Sequence, residues 1–168
     1  MKLHQACVSD LRIASEKKEQ DAVYETKTPL KSIETQRRLH QVDLLALDVT
    51  FVMDYFHIPL ILRYGRVPIM SVDRTAFDPI VIAGGPCATF NPEPFADFID
   101  VFIIGEGEGI VTAVLDRIRL GSENGESREK TIAALAQIDG VYVPVLYTPQ
   151  YDDTEQFIGY AIADGAPK

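Results

Sequence analysis

The chain has 168 residues, 46% hydrophobic and 24% charged, a size that predicts one domain burying roughly 70% of its unfolded surface. The apolar content excludes a disordered chain, 11 Gly without a period exclude collagen, and 10 scattered Pro exclude a coiled coil; the two cysteines, Cys7 and Cys87, exclude a disulfide framework. The net charge is −9, with eight Lys/Arg against six Asp/Glu in residues 1–40 and eight against nineteen in residues 41–168, so the acidic body by itself is a poor partner for nucleic acid.

Residues 7–20 place Val8, Leu11, Ile13 and Ala14 ahead of a run of charges, which predicts a short amphipathic helix capped by Ser9 or Asp10. Residues 24–29 read as an extended link, and Ser32 opens a second short helix through Leu39. Residues 42–47 are apolar with a single charge near the start, the pattern of a strand covered on both faces. Residues 51–64 predict a helix that breaks or kinks at Pro59. Residues 67–70 read as a short strand and 74–79 as a loop.

Ile80, Val81, Ile82 and Ala83 form a second buried strand, ended by Gly84-Gly85-Pro86. Residues 92–98 predict a short helix with Asn91 as N-cap and Pro92 at its first position. Residues 101–104 are a third buried strand, followed by Gly105-Glu106-Gly107-Glu108. Residues 110–120 predict a helix with Val111, Val114, Leu115 and Ile118 on one face. Residues 127–138 predict another, capped by Ser127 and stopped by Gly140. Residues 141–147 read as a strand, with 156–162 as its partner.

Short buried strands alternating with helices specify an α/β fold with a doubly wound, mainly parallel sheet of the Rossmann or flavodoxin-like kind. Ligands in such sheets bind beyond the carboxyl ends of the strands, where strand order reverses. That singles out the loops after Leu47, Ala83 and Ile104.

Gly84-Gly85 lets the backbone either turn tightly or approach a flat ligand closely. The pair does not fit G-x-G-x-x-G, because no third Gly follows at the right distance. The Gly105-Glu106-Gly107-Glu108 loop resembles a phosphate cradle only in its glycines, since its two carboxylates would repel an anion. Those carboxylates suit either the dipole of the next helix or the amides and hydroxyls of a ligand. Cys87 follows the turn as a nucleophile might, yet no His or Asp adjoins it, and a buried structural Cys is the commoner case. His4, His40 and His57 have no metal-ligand spacing, so neither a metal site nor a catalytic residue is assigned.

The stretch I-V-I-A-G-G-P-C-A-T-F-N-P-E-P-F-A-D-F-I-D-V-F-I-I-G-E-G-E, residues 80–108, resembles the cobalamin-binding-type domain that precedes the catalytic barrel of many radical S-adenosylmethionine (SAM) proteins. The likeness extends upstream through K-T-P-L at 27–30 and downstream to I-D-G-V-Y-V-P at 138–144. It is similar in particular to the N-terminal domain of large iron–sulfur oxidoreductase-like proteins. The resemblance implies that Gly84, Gly85, Pro86, Gly105, Glu106, Gly107 and Glu108 line the nucleotide tail of a cobalamin. It also implies a radical SAM barrel as partner, in cis or in trans. Residues 1–25 lack a clear buried strand, so the usual first strand is expected to be missing or replaced.

The signature C-x-x-x-C-x-x-C is absent, and two Cys cannot hold a four-iron cluster, so neither cluster nor S-adenosylmethionine is expected on this chain. The cobalt-ligating pattern D-x-H-x-x-G is also absent, its nearest approach being Asp54-Tyr55-Phe56-His57-Ile58-Pro59. The division expected is a helical extension at 1–23, the α/β domain at 24–147, and a tail or linker at 148–168. The leading reading is an accessory domain, not catalytic alone, from a fragment or relative of a radical SAM enzyme. Two alternatives are a degenerate docking module that binds no cofactor and an independent nucleotide- or small-molecule-binding α/β protein. No apolar run reaches the ~20 residues of a membrane helix, and residues 1–18 are too charged for a signal peptide, so the expected location is the cytoplasm.

Overall fold

Side chains alternate along the apolar runs, and both sets find a covering layer, which is what fixes the architecture. The computed structural model describes residues 5–8, 30–32 and 36–167. A five-stranded sheet holds β1 (Gln5–Val8), β2 (Leu44–Asp48), β3 (Ile80–Gly84), β4 (Val101–Ile103) and β5 (Val141–Tyr142), in that spatial order. The first four run parallel and β5 is antiparallel to β4. On one face, Leu45, Leu47, Val81, Ala83 and Phe102 pack against Ile58, Ile61 and Leu62 of α1 (His57–Gly65). On the other, Leu44, Ile80, Ile82, Val101 and Ile103 meet α3 (Ile110–Glu123) and α4 (Arg128–Leu135) through Val114, Ile118, Ile132 and Leu135.

This is the mixed α/β sheet, mainly parallel and covered on both faces, that the sequence specifies. The described strands nevertheless follow one another without a reversal of order. The second face is covered because the chain leaves β4 over α3 and α4 and returns antiparallel as β5.

The first strand is present. Gln5–Val8 pairs with β2 in parallel, with Gln5 opposite Leu44 and Val8 opposite Leu47. Cys7 and Val8 are therefore strand, not the start of a helix; the rest of that helix and the link at 24–29 lie outside the described residues. The helix expected from Ser32 through Leu39 falls partly outside the described residues. Lys31 and Arg38 form an antiparallel bridge, and residues 33–35 lie outside the described set.

Pro59 does not break the helix it sits in. A 3-10 turn (Val52–Phe56) runs into α1, and Pro59 occupies α1's first turn, where an N–H has no partner to lose. Residues 67–70 form no strand. Pro68 has no N–H, and the Val67 N–H donates back to Leu62 O at the end of α1.

The helix after β3 is α2 (Pro86–Phe90), which starts with Pro in its first turn, while the expected 92–98 helix is only a 3-10 turn (Glu93–Phe95). Asn91 therefore caps no helix start; it is the C-cap of α2, its N–H donating to Cys87 O. Ser127 does cap α4, its Oγ accepting the Lys130 N–H at 3.2 Å. The expected 141–147 strand splits at a 3-10 turn (Pro144–Leu146). Beyond it, β6 (Tyr147–Tyr151) and β7 (Phe157–Ile162) form a separate antiparallel pair.

Candidate functional site

Parallel strands end together, so the carboxyl ends of β2, β3 and β4 create one edge onto which their following loops open. A cleft of about 420 Å³ lies there, roofed by α3. Its walls are apolar: Leu44 and Ala46 from β2, Ile82 from β3, Ile103 from β4, and Val111 and Leu115 from α3. Gly84, Gly85, Gly105 and Gly107 line its mouth. Asp48, the last residue of β2, is the one ionisable side chain among the lining residues.

The glycines do different jobs. Gly85 has φ 97°, and a Cβ there would lie 2.5 Å from Asp48 Oδ1 and 2.9 Å from Val49 O. Its bareness serves the close packing of the β3–α2 turn on the end of β2. A Cβ on Gly105 would meet nothing within 4 Å, and one on Gly84 would meet Ile103 at an ordinary 3.7 Å. These two leave open room at the cleft instead of avoiding a clash. Thr89 ties the two loops together by accepting the Gly105 N–H at 3.0 Å.

Of the seven residues singled out from the sequence, the structure brings four glycines together and sets the other three aside. Pro86 is exposed at the start of α2. Glu106 and Glu108 are exposed and do not line the cleft. The N-cap of α3 is Gly109, with no side-chain cap and no acidic residue in the first turn. The sequence reading missed Asp48, Val111 and Leu115. Asp48 carried a usable signal, a carboxylate closing a buried strand at its carboxyl end.

Cys87 lies outside the cleft, half-buried, its Sγ donating to Thr50 O at 3.3 Å and its N–H to Val49 O. Its thiol has no His or Asp partner among the described residues, which supports a structural role. His57 opens α1 on the opposite face of the sheet from the cleft, with Nδ1 buried and unpartnered among the described residues. It cannot present a ligand to this cleft. Among the described residues no three His, Cys, Asp or Glu gather as metal ligands.

The 3-10 turn that follows β2 carries apolar side chains outward. The buried Asp54 carboxylate accepts the N–H groups of Thr50 and Phe51 at 3.1 and 2.8 Å, fixing the turn. The Tyr55 hydroxyl donates to Cys87 O and Asn91 O, clamping the turn to α2, and burial raises the Tyr55 pKa. Phe51, Val52, Met53 and Phe56 are nevertheless 64–67% exposed, and Phe90 at the end of α2 is 88% exposed. Large exposed apolar side chains of this kind are a common feature of interaction surfaces.

The family model for the N-terminal domain of radical SAM proteins matches residues 2–144 of the chain. An uncharacterized protein of Methanocaldococcus jannaschii is 32% identical over 87 residues, which is 51% of this chain and 18% of that protein. The chain thus matches less than a fifth of that relative's length. No solved structure matches the chain.

Proposed function

The chain belongs to the family of radical SAM N-terminal domains, and from that premise we propose that it is an accessory domain whose cleft seats a cofactor beside a radical SAM catalytic domain. The observation that carries this reading is the apolar cleft at the carboxyl ends of β2–β4, with Gly84 and Gly105 leaving its mouth open. The cofactor proposed is cobalamin. Leu44, Ala46, Ile82, Val111 and Leu115 suit the flat apolar base at the end of its nucleotide tail. Asp48 would accept a hydrogen bond from a ribose hydroxyl, and among the described residues the cleft offers no cation to the tail's phosphate.

The fit has a definite limit. Among the described residues no His lines the cleft, so they would hold cobalamin by its tail and leave the cobalt without a side-chain ligand. Bound cobalamin supplies cobalt-centred alkyl or radical chemistry. The chain's own residues bind and orient, and the cluster, the S-adenosylmethionine and the reacting substrate belong to the catalytic domain. An independent small-molecule enzyme is disfavoured, because among the described residues the cleft contains a single carboxylate and neither nucleophile nor base partner.

One observation favours a second reading, a docking module without cofactor: the exposed turn of Phe51, Val52, Met53 and Phe56. A visible-absorbance titration with hydroxocobalamin, followed by size exclusion, separates the two. Colour that comigrates with the chain and weakens in Gly84→Val supports the cofactor role. Absence of retained colour overturns it and leaves the docking module.

A further inference from the structure

A groove of about 590 Å³ runs between the 91–97 segment and β6, sharing no residue with the cleft. One wall is aromatic: Tyr142, Tyr147 and Tyr151, with the Tyr142 and Tyr147 ring centres 5.3 Å apart. The other carries two exposed carboxylates, Glu93 and Asp97. Tyr142 donates to Glu93 Oε1 at 2.6 Å, which holds that carboxylate against the aromatic wall. The Asp97 carboxylate has no hydrogen bond or ion pair among the described residues. Val72 and Val145, 78% and 67% exposed, lie on the same groove.

Among the described residues no Lys, Arg or His lines this groove. The basic residue nearest in sequence to its Ser71–Val72 edge is Arg74, whose guanidinium turns inward to the buried Asp100. The surface therefore combines negative charge, tyrosine faces and exposed valines, with no cation of its own.

We propose that this groove docks a basic segment of a partner polypeptide. An Arg or Lys side chain matches it at both ends: the cationic head suits the carboxylates and the tyrosine faces, and the methylene stem suits Val72 and Val145. A small ammonium ion would leave the apolar wall unused, and an acidic or phosphorylated partner would meet Glu93 and Asp97 with like charge. The proposal stands on charge complementarity at this groove and is independent of whether the cleft binds cobalamin.

The test uses the isotope-labelled chain and a blocked hexapeptide alternating arginine and valine, followed by amide NMR. Saturable shifts at Asp97, Tyr147, Thr148 and Tyr151 are expected, weakening as salt is raised. Asp97→Asn, at an exposed position, is expected to weaken binding about fivefold without disturbing the rest of the spectrum. Tyr151→Ala should weaken it independently. Equal binding of a matched glutamate–valine peptide, or shifts that avoid these amides, overturns the proposal. Shifts at the same amides on concentrating the chain alone would make a second copy the occupant and overturn it as well.

Discussion

Arg74 and Asp100 form a buried ion pair, Nη1 to Oδ2 at 2.8 Å, with their side chains 0% and 4% exposed. The same Oδ2 accepts from Arg128 Nη2 at 2.7 Å and from the Val81 N–H at 2.7 Å. The remaining bonds of Arg74 go to the carbonyls of Pro68, Ile69 and Phe98. Burial pulls its guanidinium below the ordinary value, and Asp100 opposes that pull. One carboxylate thus ties the 66–79 loop, β3 and α4 together at the amino end of the strands, away from the cleft.

Removing that carboxylate strands two buried guanidinium groups. Asp100→Ala is expected to cost about 3–5 kcal/mol, read from the urea midpoint at unchanged slope. A loss under about 1 kcal/mol would contradict the role assigned to Asp100.

Two glycines of the site should answer differently to the same substitution. Gly85→Ala combines a left-handed φ with contacts of 2.5 and 2.9 Å to Asp48 and Val49, and should cost about 2–3 kcal/mol. Gly105→Ala, with φ 94° and open space, should cost about 1 kcal/mol. Thermal unfolding of the two variants side by side checks the ranking. Equal losses would show that the Gly85 turn relaxes.

The three buried strands at residues 42–47, 80–83 and 101–104 were legible because each is a short apolar run between helices. Ser127 was legible because capping is local chemistry. β1 was not: its four residues, Gln-Ala-Cys-Val, are too few and too mixed to announce a buried strand, and pairing with β2 is a tertiary event. Pro86 reads in the sequence as the end of a turn although Pro also favours the first turn of a helix, and Asn91-Pro92 carries a competing helix-start signal. At the cleft, Gly84 and Gly105 were legible from their place after strands. Val111 and Leu115 join them only because α3 folds back over the sheet, and the exposure of Glu106 and Glu108 depends on how the loop leaves β4.

Stability should fall in alkali through Tyr142. Burial, then the hydrogen bond to Glu93, raise its pKa far above the ordinary value near 10. The unfolded chain releases the proton near pH 10 while the folded chain keeps it. The stabilisation is therefore complete below pH 10 and is lost as pH climbs beyond it. Tyr142→Phe should flatten the alkaline limb of a stability–pH profile; an unchanged limb would contradict this.

The exposed turn should be dispensable for folding and needed for docking. Phe51→Ser with Phe56→Ser is expected to move stability by no more than about 0.5 kcal/mol, since both side chains are already in water. Affinity for a separately expressed radical SAM catalytic domain should drop by roughly tenfold or more. A large fall in the melting temperature would instead make the turn part of the core.

The cofactor cleft is tested most directly by methyl NMR of the chain with hydroxocobalamin added. The account predicts shifts confined to Leu44, Ile82, Ile103, Val111 and Leu115, which line the cleft, and silence at Ile58, Ile61 and Leu62 on the opposite face. Shifts on the α1 face, or no shifts at all, would contradict it.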